Sequence, residues 1–266
     1  MGFMRKLRVS AERNNSLLCI GLDPDHDRLP AGVTMAQFNR AIIDATSDVV
    51  CAYKPNLAFY EVDGADGLRA LEQTLAAIPE DIPVIGDAKR GDIGNTARQY
   101  AKALFESFNF DAATVNPYLG LDSVEPFIAY PDKCTFLLCR TSNPGAKDFQ
   151  DLMIRGQPLY EHVAFKALEW NIHGNIGLVA GATYPQDLAR IRQLCPAMPL
   201  LVPGVGTQGG DVRAVVRLSA DASGMNAIIN ISRAVLYASA GADFAEAARN
   251  AALRLRDEIN KHRPVG

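Results

Sequence analysis

The sequence predicts an α/β fold with one domain, a (β/α)8 TIM barrel over residues 1–266 in which residues 1–13 form an N-terminal extension. Three observations predict this fold. The chain contains eight short apolar runs, a longer amphipathic segment follows each run, and no linker or change of composition divides the chain. A doubly wound sheet is the alternative, but the turn after the first apolar run lacks the glycine-rich pattern that binds dinucleotides.

The predicted strands are near-continuous apolar runs, as expected for a parallel sheet that is covered on both faces. They comprise residues 17–23, 50–56, 83–87, 112–116, 134–140, 176–181, 200–203 and 227–231. The predicted helices lie near residues 34–48, 64–78, 94–108, 121–129, 159–171, 185–194 and 209–218. A last helix is predicted from about 240 to 262, since that region is rich in Ala, Leu, Arg and Glu, which are strong helix formers.

The composition limits the classes of partner. With 27 Lys and Arg against 30 Asp and Glu, the formal net charge is −3, and no long basic run is present. A nucleic acid or an anionic membrane is therefore not expected as the main partner. The five cysteines have no paired short spacing and are expected to be buried, reduced thiols. Neither a signal peptide nor a membrane-spanning run is recognisable, so a cytoplasmic location is expected.

Polar residues end or directly follow most of the predicted strands, at the side where a barrel of this kind builds its active site. They include Asp23, Lys54, Asn56, Asp87, Lys89, Asn116, Arg140, Ser142, Ser232 and Arg233, while the seventh strand leads into Pro203 and a glycine-rich turn. This distribution predicts that they converge at one end of the barrel. The histidines show no spacing typical of a metal site, and no metal is expected.

The most informative cluster is the segment 87–92, which places a lysine between two aspartates. Asp87 and Lys89 are two residues apart, so on a regular strand they point to the same side. A solvated charge pair on a loop is the alternative, but the preceding apolar strand favours a site inside the barrel. Nearby carboxylates keep a lysine protonated, which suits Lys89 to stabilise and then protonate a carbanion rather than to act as a nucleophile.

A phosphate site is predicted at the loops after the seventh and eighth strands. Residues 203–210 form a glycine-dense turn, and Ser232 and Arg233 precede a short segment, 234–239. Backbone N–H groups at such loops, with an arginine fork, are the usual phosphate cradle of this fold. The loop 203–211 is also the candidate lid over the site.

Six motifs within residues 18–237 have the pattern of a known family: GLDPD at 21–25, YKPN at 53–56, DAKRGDIGNT at 87–96, TSNPG at 141–145, PGVGTQGG at 203–210 and NISR at 230–233. They resemble the orotidine 5'-phosphate decarboxylase family, in its longer bacterial subgroup. The resemblance implies decarboxylation of orotidine 5'-phosphate to uridine 5'-phosphate in de novo pyrimidine biosynthesis. It also implies a reaction without metal or organic cofactor.

The resemblance further implies roles for individual residues. The catalytic residues would be Lys89, Asp87 and Asp92. The substrate-binding residues would be Asp23, Lys54, Ile93, Thr96, Asn116, Ser142, Pro203, Gln208, Gly210, Ser232 and Arg233. Asp23 and Lys54 would contact the ribose, Ser142 the pyrimidine, Arg233 the phosphate, and Gln208 would bridge pyrimidine and phosphate. For Asn116, support of neighbouring residues is the alternative to substrate contact.

The resemblance implies a homodimer in which Asp92 and Thr96, with Ile93, enter the neighbouring subunit's site. Two other functions stay open. Sister barrels use the same D-x-K-x-x-D array with a metal, for decarboxylation of a keto-sugar phosphate or for aldol addition. Such metal-dependent chemistry requires a site with several oxygen ligands, but the second strand offers Lys54 and Asn56 in place of an acidic ligand. A phosphate-binding barrel without catalysis is the other alternative, and it would be expected to lack a member of the charged array.

Overall fold

The computed structural model describes residues 1–205 and 211–264, and its centre is a barrel of eight parallel strands. The hydrogen-bonding order begins with the second strand and ends with the third, and two isolated bridges, Tyr53 with Val84 and Asn56 with Asp87, close the ring between them. The predicted TIM barrel is therefore confirmed. The strands are β1 (Leu18–Leu22), β2 (Ala52–Pro55), β3 (Ile85–Arg90), β4 (Ala112–Val115), β5 (Cys134–Arg140), β6 (Ile176–Ala180), β7 (Leu200–Pro203) and β8 (Ala227–Ile231).

Helices surround the barrel and connect its strands. They are α1 (Phe3–Arg13), α2 (Met35–Thr46), α3 (Ala58–Glu61), α4 (Gly64–Ala77), α5 (Gly94–Lys102), α6 (Leu121–Ile128), α7 (Leu159–Trp170), α8 (Pro185–Leu194), α9 (Val212–Ser219), α10 (Arg233–Leu236) and α11 (Phe244–His262). Local chemistry fixes several of their ends. Thr34 and Gln37 form a capping box at the start of α2, and the Asp211 side chain caps α9.

The apolar core has two parts. Most residues of β1, β2, β4, β6 and β8 are fully buried, because one face of the sheet packs inside the barrel and the other against the helices. Large side chains between sheet and helices form the main layer, including Phe38, Phe110 and Phe127. A smaller cluster, which contains Cys19, Ile85 and Phe136, fills the barrel interior.

The N-terminal segment is a helix that covers the end of the barrel opposite the strand-end polar residues. α1 buries Phe3, Leu7 and Ala11 against the interior cluster, and the rings of Phe3 and Phe136 meet edge to face at 5.7 Å. The ammonium of Lys6 reaches Asp111 at 2.7 Å. This segment thus contributes to the core, although the sequence predicted no helix there. The division into one domain with an extension stays a prediction.

Two of the predicted helices clearly differ from the structure at one end, and the loop after β5 contains elements that the sequence did not predict. The helix predicted at 94–108 ends at Lys102, and Ala103–Ser107 continue as a π-helical turn. The last helix begins at Phe244 rather than near 240, because Ser239 and Asp243 hydrogen-bond to each other at 2.6 Å and form a turn instead. The insertion after β5 contains a 3-10 turn, Pro144–Asp148, and a small hairpin of Met153–Ile154 with Gln157–Pro158.

The cysteines are buried, as the sequence predicted. All five cysteines are buried and unpaired. Burial raises the pKa of the Cys51 thiol to about 12, which keeps it in the unreactive thiol form.

Within the described residues, every helix is too short or too polar to cross a membrane.

Candidate active site

Three charged side chains meet at the carboxyl ends of β2 and β3. Each oxygen of the Asp87 carboxylate accepts a hydrogen bond, Oδ2 from Nζ of Lys54 at 2.8 Å and Oδ1 from Nζ of Lys89 at 2.5 Å. Lys54 is only 3% exposed, whereas half of the Lys89 side chain is accessible. Asp87 therefore holds one ammonium group inside the protein and directs a second one toward a surface that a ligand can reach.

β3 is irregular at the residues that carry this cluster. Between Gly86 and Arg90 its register with β4 shifts, so that three residues of β3 lie opposite one residue of β4. Lys89 has a φ of +48°, in the left-handed region that non-glycine residues rarely adopt. Asp87 and Lys89 do meet, but a bulge brings them together rather than the regular strand alternation that the sequence argument assumed.

Thr114 of β4 is the residue opposite the bulge, and the sequence analysis did not select it. Its Oγ1 accepts a hydrogen bond from the backbone N–H of Lys89 at 2.9 Å and donates one to Oδ1 of Asp87 at 3.0 Å. The residue is 1% exposed. The available signal was a single polar residue inside the otherwise apolar strand of residues 112–115.

The neighbouring charges set the protonation of this cluster. Burial alone would raise the pKa of Asp87, but the ammonium groups of Lys54 and Lys89 outweigh it and hold that pKa well below its ordinary value. Burial alone would lower the pKa of Lys54, but the carboxylates of Asp87 and Asp23 raise it above the usual lysine value. Asp87 and Lys54 are therefore both ionised at neutral pH.

A second group of contacts joins the ends of β1 and β8. Asp23 accepts hydrogen bonds from Oγ of Ser232 at 2.6 Å and from the N–H of Asn56 at 3.1 Å. Gly21 permits this approach, since a Cβ at that position would lie 1.9 Å from the Ser232 hydroxyl. The Tyr237 hydroxyl donates to the backbone carbonyl of Asp23 at 3.3 Å. The first and last strands thereby fix Asp23 beside the charged cluster.

Two cavities adjoin each other at this end of the barrel, and together we call them the cleft. The first has a volume of about 400 Å³ and the second of about 350 Å³. Lys54, Asp87 and Pro203 line both of them. The first is also lined by Asp23, Ser232 and Arg233, and the second by Lys89, Thr114 and Ser142. The charged cluster therefore lies at the middle of an elongated cleft.

The arginine end of the cleft is formed by β7 and β8. Arg233 begins α10, a helix that ends at Leu236, where the sequence suggested a short segment over 234–239. Gly204, in the turn after β7, has a φ of +94°, which a residue with a side chain would adopt only with strain. Gln208 and Gly210, two of the predicted substrate contacts, lie outside the described residues.

The opposite end of the cleft is formed by the loop after β5. Gly181 allows this loop to approach β6, because a Cβ there would lie 2.7 Å from the backbone nitrogen of Ser142. Arg140, at the end of β5, holds the loop through an ion pair with Asp151. It is 2% exposed, and its guanidinium pairs with Asp187 at 2.7 Å and with Asp151 at 3.0 Å. The sequence placed Arg140 at a strand end without assigning it this structural role.

Four predicted site residues lie outside the cleft in the described parts of the chain. Asp92, Ile93 and Thr96 lie at the start of α5 and line neither cavity, and Ile93 is 54% exposed. Asn116 accepts a hydrogen bond from the N–H of Tyr118 at 3.0 Å and lines a separate, mainly apolar cavity. Both alternatives for Asn116, substrate contact and support of neighbouring residues, stay predictions.

No group of three or more His, Cys, Asp or Glu side chains that could bind a metal occurs in residues 1–205 or 211–264. A reaction without metal or organic cofactor stays a prediction at this point. The cleft offers ammonium, guanidinium and hydroxyl groups as hydrogen-bond donors and carboxylates as acceptors, a set that suits a charged, oxygen-rich organic ligand.

Comparison with known proteins identifies relatives of the whole chain. The model of the orotidine 5'-phosphate decarboxylase / HUMPS family matches residues 16–250. The orotidine 5'-phosphate decarboxylase of Cellvibrio japonicus is 56% identical over 271 residues, covering 98% of each chain. The solved structure of Leishmania donovani OMP decarboxylase has a TM-score of 0.89 at 42% identity, with 99% of each chain covered. Leishmania donovani UMP synthase has a TM-score of 0.91 at 44% identity; the alignment covers 99% of this chain and 57% of that one.

Proposed function

Because the chain belongs to the orotidine 5'-phosphate decarboxylase / HUMPS family, and full-length bacterial relatives are named orotidine 5'-phosphate decarboxylase, we propose that it is an enzyme with that activity. It is a carboxy-lyase that converts orotidine 5'-phosphate to uridine 5'-phosphate within pyrimidine biosynthesis. One observation supports this most directly: a single carboxylate, Asp87, organises two ammonium groups at the middle of the cleft.

The chemistry explains why such a cluster suits the reaction. When the bond between the ring carbon and the carboxylate breaks, carbon dioxide leaves and the electron pair stays on the ring carbon, in the plane of the ring. No π system delocalises that pair, so stabilisation has to be electrostatic. The ammonium of Lys89 supplies the positive charge, transfers a proton from Nζ to the ring carbon, and afterwards regains one from water.

Asp87 and Lys54 keep Lys89 ready for this step. Asp87 holds Nζ of Lys89 in place through Oδ1, and its charge lies close to where the substrate carboxylate would sit. Lys54 neutralises part of that charge through Oδ2 and is itself too buried to move readily. Since loss of carbon dioxide removes the substrate's carboxylate charge, the crowding with Asp87 is relieved as the reaction proceeds.

The remaining predicted contacts orient the nucleotide along the cleft. Arg233 and the backbone around Ser232 bind the phosphate at one end, with Gln208 and Gly210 of the lid loop. Asp23 and Lys54 contact the ribose near the middle, and Ser142 contacts the pyrimidine at the other end. Binding energy from the distant phosphate closes the loop and excludes water, which strengthens the electrostatic effect in the transition state.

A homodimer completes the site in this proposal. Asp92, Ile93 and Thr96 line neither cavity of their own chain's cleft, in the parts that the structure describes. Exposed apolar side chains follow β3 and β4 in the chain, namely Ile93, Tyr118, Leu119 and Leu121. An apolar surface of this kind favours contact with a second subunit. Asp92 and Thr96 then extend from that interface into the partner's site.

The decisive experiment is a decarboxylation assay on purified protein, followed by the ultraviolet absorbance of orotidine 5'-phosphate. We expect turnover at the same rate before and after treatment with EDTA. Loss of activity on chelation, with recovery on adding magnesium, would instead support the metal-dependent chemistry of sister barrels. Binding of the nucleotide without any turnover would support the non-catalytic alternative.

A further inference from the structure

We infer that Thr114 is a positioning residue for this reaction: its hydroxyl holds the bulge of β3 so that Nζ of Lys89 stays where it can reach the ring carbon. The inference rests on the proposed function and extends it to a residue on a different strand. Thr114 lines the same cavity as Lys89 and Ser142, yet its hydroxyl is used within the protein.

The direction of both hydrogen bonds follows from the partners. The backbone N–H of Lys89 can only donate, so Oγ1 of Thr114 accepts there, at 2.9 Å. The carboxylate of Asp87 is ionised and can only accept, so the hydroxyl proton of Thr114 points to Oδ1, at 3.0 Å. One hydroxyl therefore connects the backbone of the proton donor to the carboxylate that holds its ammonium.

The backbone of Lys89 needs such support. A left-handed φ of +48° at a lysine costs free energy and persists where the surroundings hold it. The register shift of β3 removes the regular ladder contacts that would otherwise do so. The bond from Lys89 N–H to Thr114 replaces a ladder contact at this point and fixes the direction in which the side chain leaves the strand.

Thr114 also restricts the carboxylate. Oδ1 of Asp87 receives both Nζ of Lys89 and the Thr114 hydroxyl, while Oδ2 receives Nζ of Lys54. With partners on both oxygens, the carboxyl plane cannot rotate without breaking a hydrogen bond. Without the hydroxyl, Lys89 would retain its partner but lose a defined position, which is expected to affect the proton-transfer step more than substrate binding.

Thr135 on the neighbouring strand β5 provides a matched control. It is fully buried, and its Oγ1 has no hydrogen-bond partner in the described residues. Replacement by valine at either position exchanges a hydroxyl for a methyl group of nearly the same size. The two substitutions therefore differ in one respect, the contacts of the hydroxyl with Lys89 and Asp87.

The test compares steady-state kinetics of wild type, Thr114→Val, Thr114→Ser and Thr135→Val on orotidine 5'-phosphate. Loss of a hydroxyl that serves a buried charged group is expected to lower kcat about 10- to 100-fold in Thr114→Val, with KM changed less than about threefold. Thr114→Ser keeps the hydroxyl and should restore kcat to within about threefold of wild type. Thr135→Val should leave kcat unchanged.

Several results would overturn the inference. They are a Thr114→Val enzyme with wild-type kcat, an equal loss of kcat in Thr135→Val, or failure of Thr114→Ser to restore the rate. If Thr114→Val does not fold, Thr114→Cys, with its weaker donor, takes its place and should show a reduced kcat at unchanged KM. Inactive wild-type protein would overturn the proposed function as well, whereas an active wild type with insensitive variants would overturn the role of Thr114 alone.

Discussion

Nζ of Lys54 lies 2.8 Å from Oδ2 of Asp87, and this contact crosses the seam at which the barrel closes. β2 and β3 are joined there by two isolated bridges, one of which includes Asp87 itself. The ion pair is almost completely removed from water, with the side chains 4% and 11% exposed. The same pair therefore contributes to the closure of the barrel and to the charge arrangement of the candidate active site.

Replacing Lys54 by methionine is expected to lower both stability and activity. Removal of Lys54 leaves Oδ2 of Asp87 without its charged partner in a buried site, which costs about 3 kcal/mol. For a chain of 266 residues, that corresponds to a decrease in Tm of about 5–6 °C, measurable by calorimetry. Lys6→Met, which breaks the pair with Asp111 at the other end of the barrel, is the control. It should reduce stability but not turnover; equal turnover in both variants would argue against a catalytic contribution of Lys54.

The low pKa of Asp87 predicts a specific pH dependence of stability. The pKa of Asp87 is lower in the folded chain than in the unfolded chain, where it is near 4. At pH values between these two pKa values, the unfolded chain binds a proton that the folded chain does not. Stability therefore falls as the pH decreases below about 4. Asp87→Asn removes this difference. The slope of the free energy of unfolding against pH should then decrease by an amount that corresponds to at most about one bound proton. Denaturant titrations from neutral to acidic pH measure the slope. An unaltered slope in Asp87→Asn would contradict the prediction.

Lys89→Ala should abolish turnover, because it removes both the charge beside the carbanion and the proton donor. We expect a decrease in kcat of more than about a thousandfold. Binding of uridine 5'-phosphate, measured by calorimetry, should persist, since the phosphate and ribose contacts are intact. Lys166→Ala, which removes an exposed lysine paired with Glu169 on α7, is the control for loss of a positive charge. Substantial residual activity in Lys89→Ala would exclude its role as proton donor.

Arg233→Ala should lower kcat/KM through loss of the phosphate contact. Truncating one partner of a desolvated charge pair costs about 2–5 kcal/mol, and the loss should appear for orotidine 5'-phosphate but not for orotidine, which lacks the phosphate. Comparing the two substrates separates the phosphate contribution from a general disturbance of the cleft. Arg254→Ala, at an exposed position of α11, is the control. If both substrates lose the same factor, Arg233 does not act through the phosphate.

Mixing two inactive variants tests whether the site is shared between subunits. Lys89→Ala and Asp92→Ala should each be inactive alone, whereas a mixed dimer has one site with an intact lysine from one chain and an intact aspartate from the other. Random exchange of subunits should recover about a quarter of wild-type activity, because half of the dimers are mixed and each contains one intact site. Lys89→Ala mixed with Asp87→Ala should recover nothing, since both residues belong to the same chain's cluster. No recovery in the first mixture would exclude a shared site.

Much of the architecture could be predicted because its signals are local. Apolar runs of a few residues identified the eight strands, and the ends of β7 and β8 were predicted without error. The polar residues at the strand ends could be placed at one end of the barrel because parallel strands all end there. The start of the last helix was less predictable, since the bond between Ser239 and Asp243 competes with helix formation.

Contacts between strands that are distant in sequence could not be predicted and depend on the tertiary structure. The residue pattern placed Asp87 and Lys89 at the carboxyl end of the third strand, but the register with β4 produced the bulge and brought Thr114 within hydrogen-bond distance of both. It also determined the positions of Lys54 and Asp23, but not that Lys54 would bond to Asp87 or that Asp23 would accept the hydroxyl of Ser232. Residue patterns specify which face of an element is buried, whereas pairing across the barrel depends on how all eight strands close together.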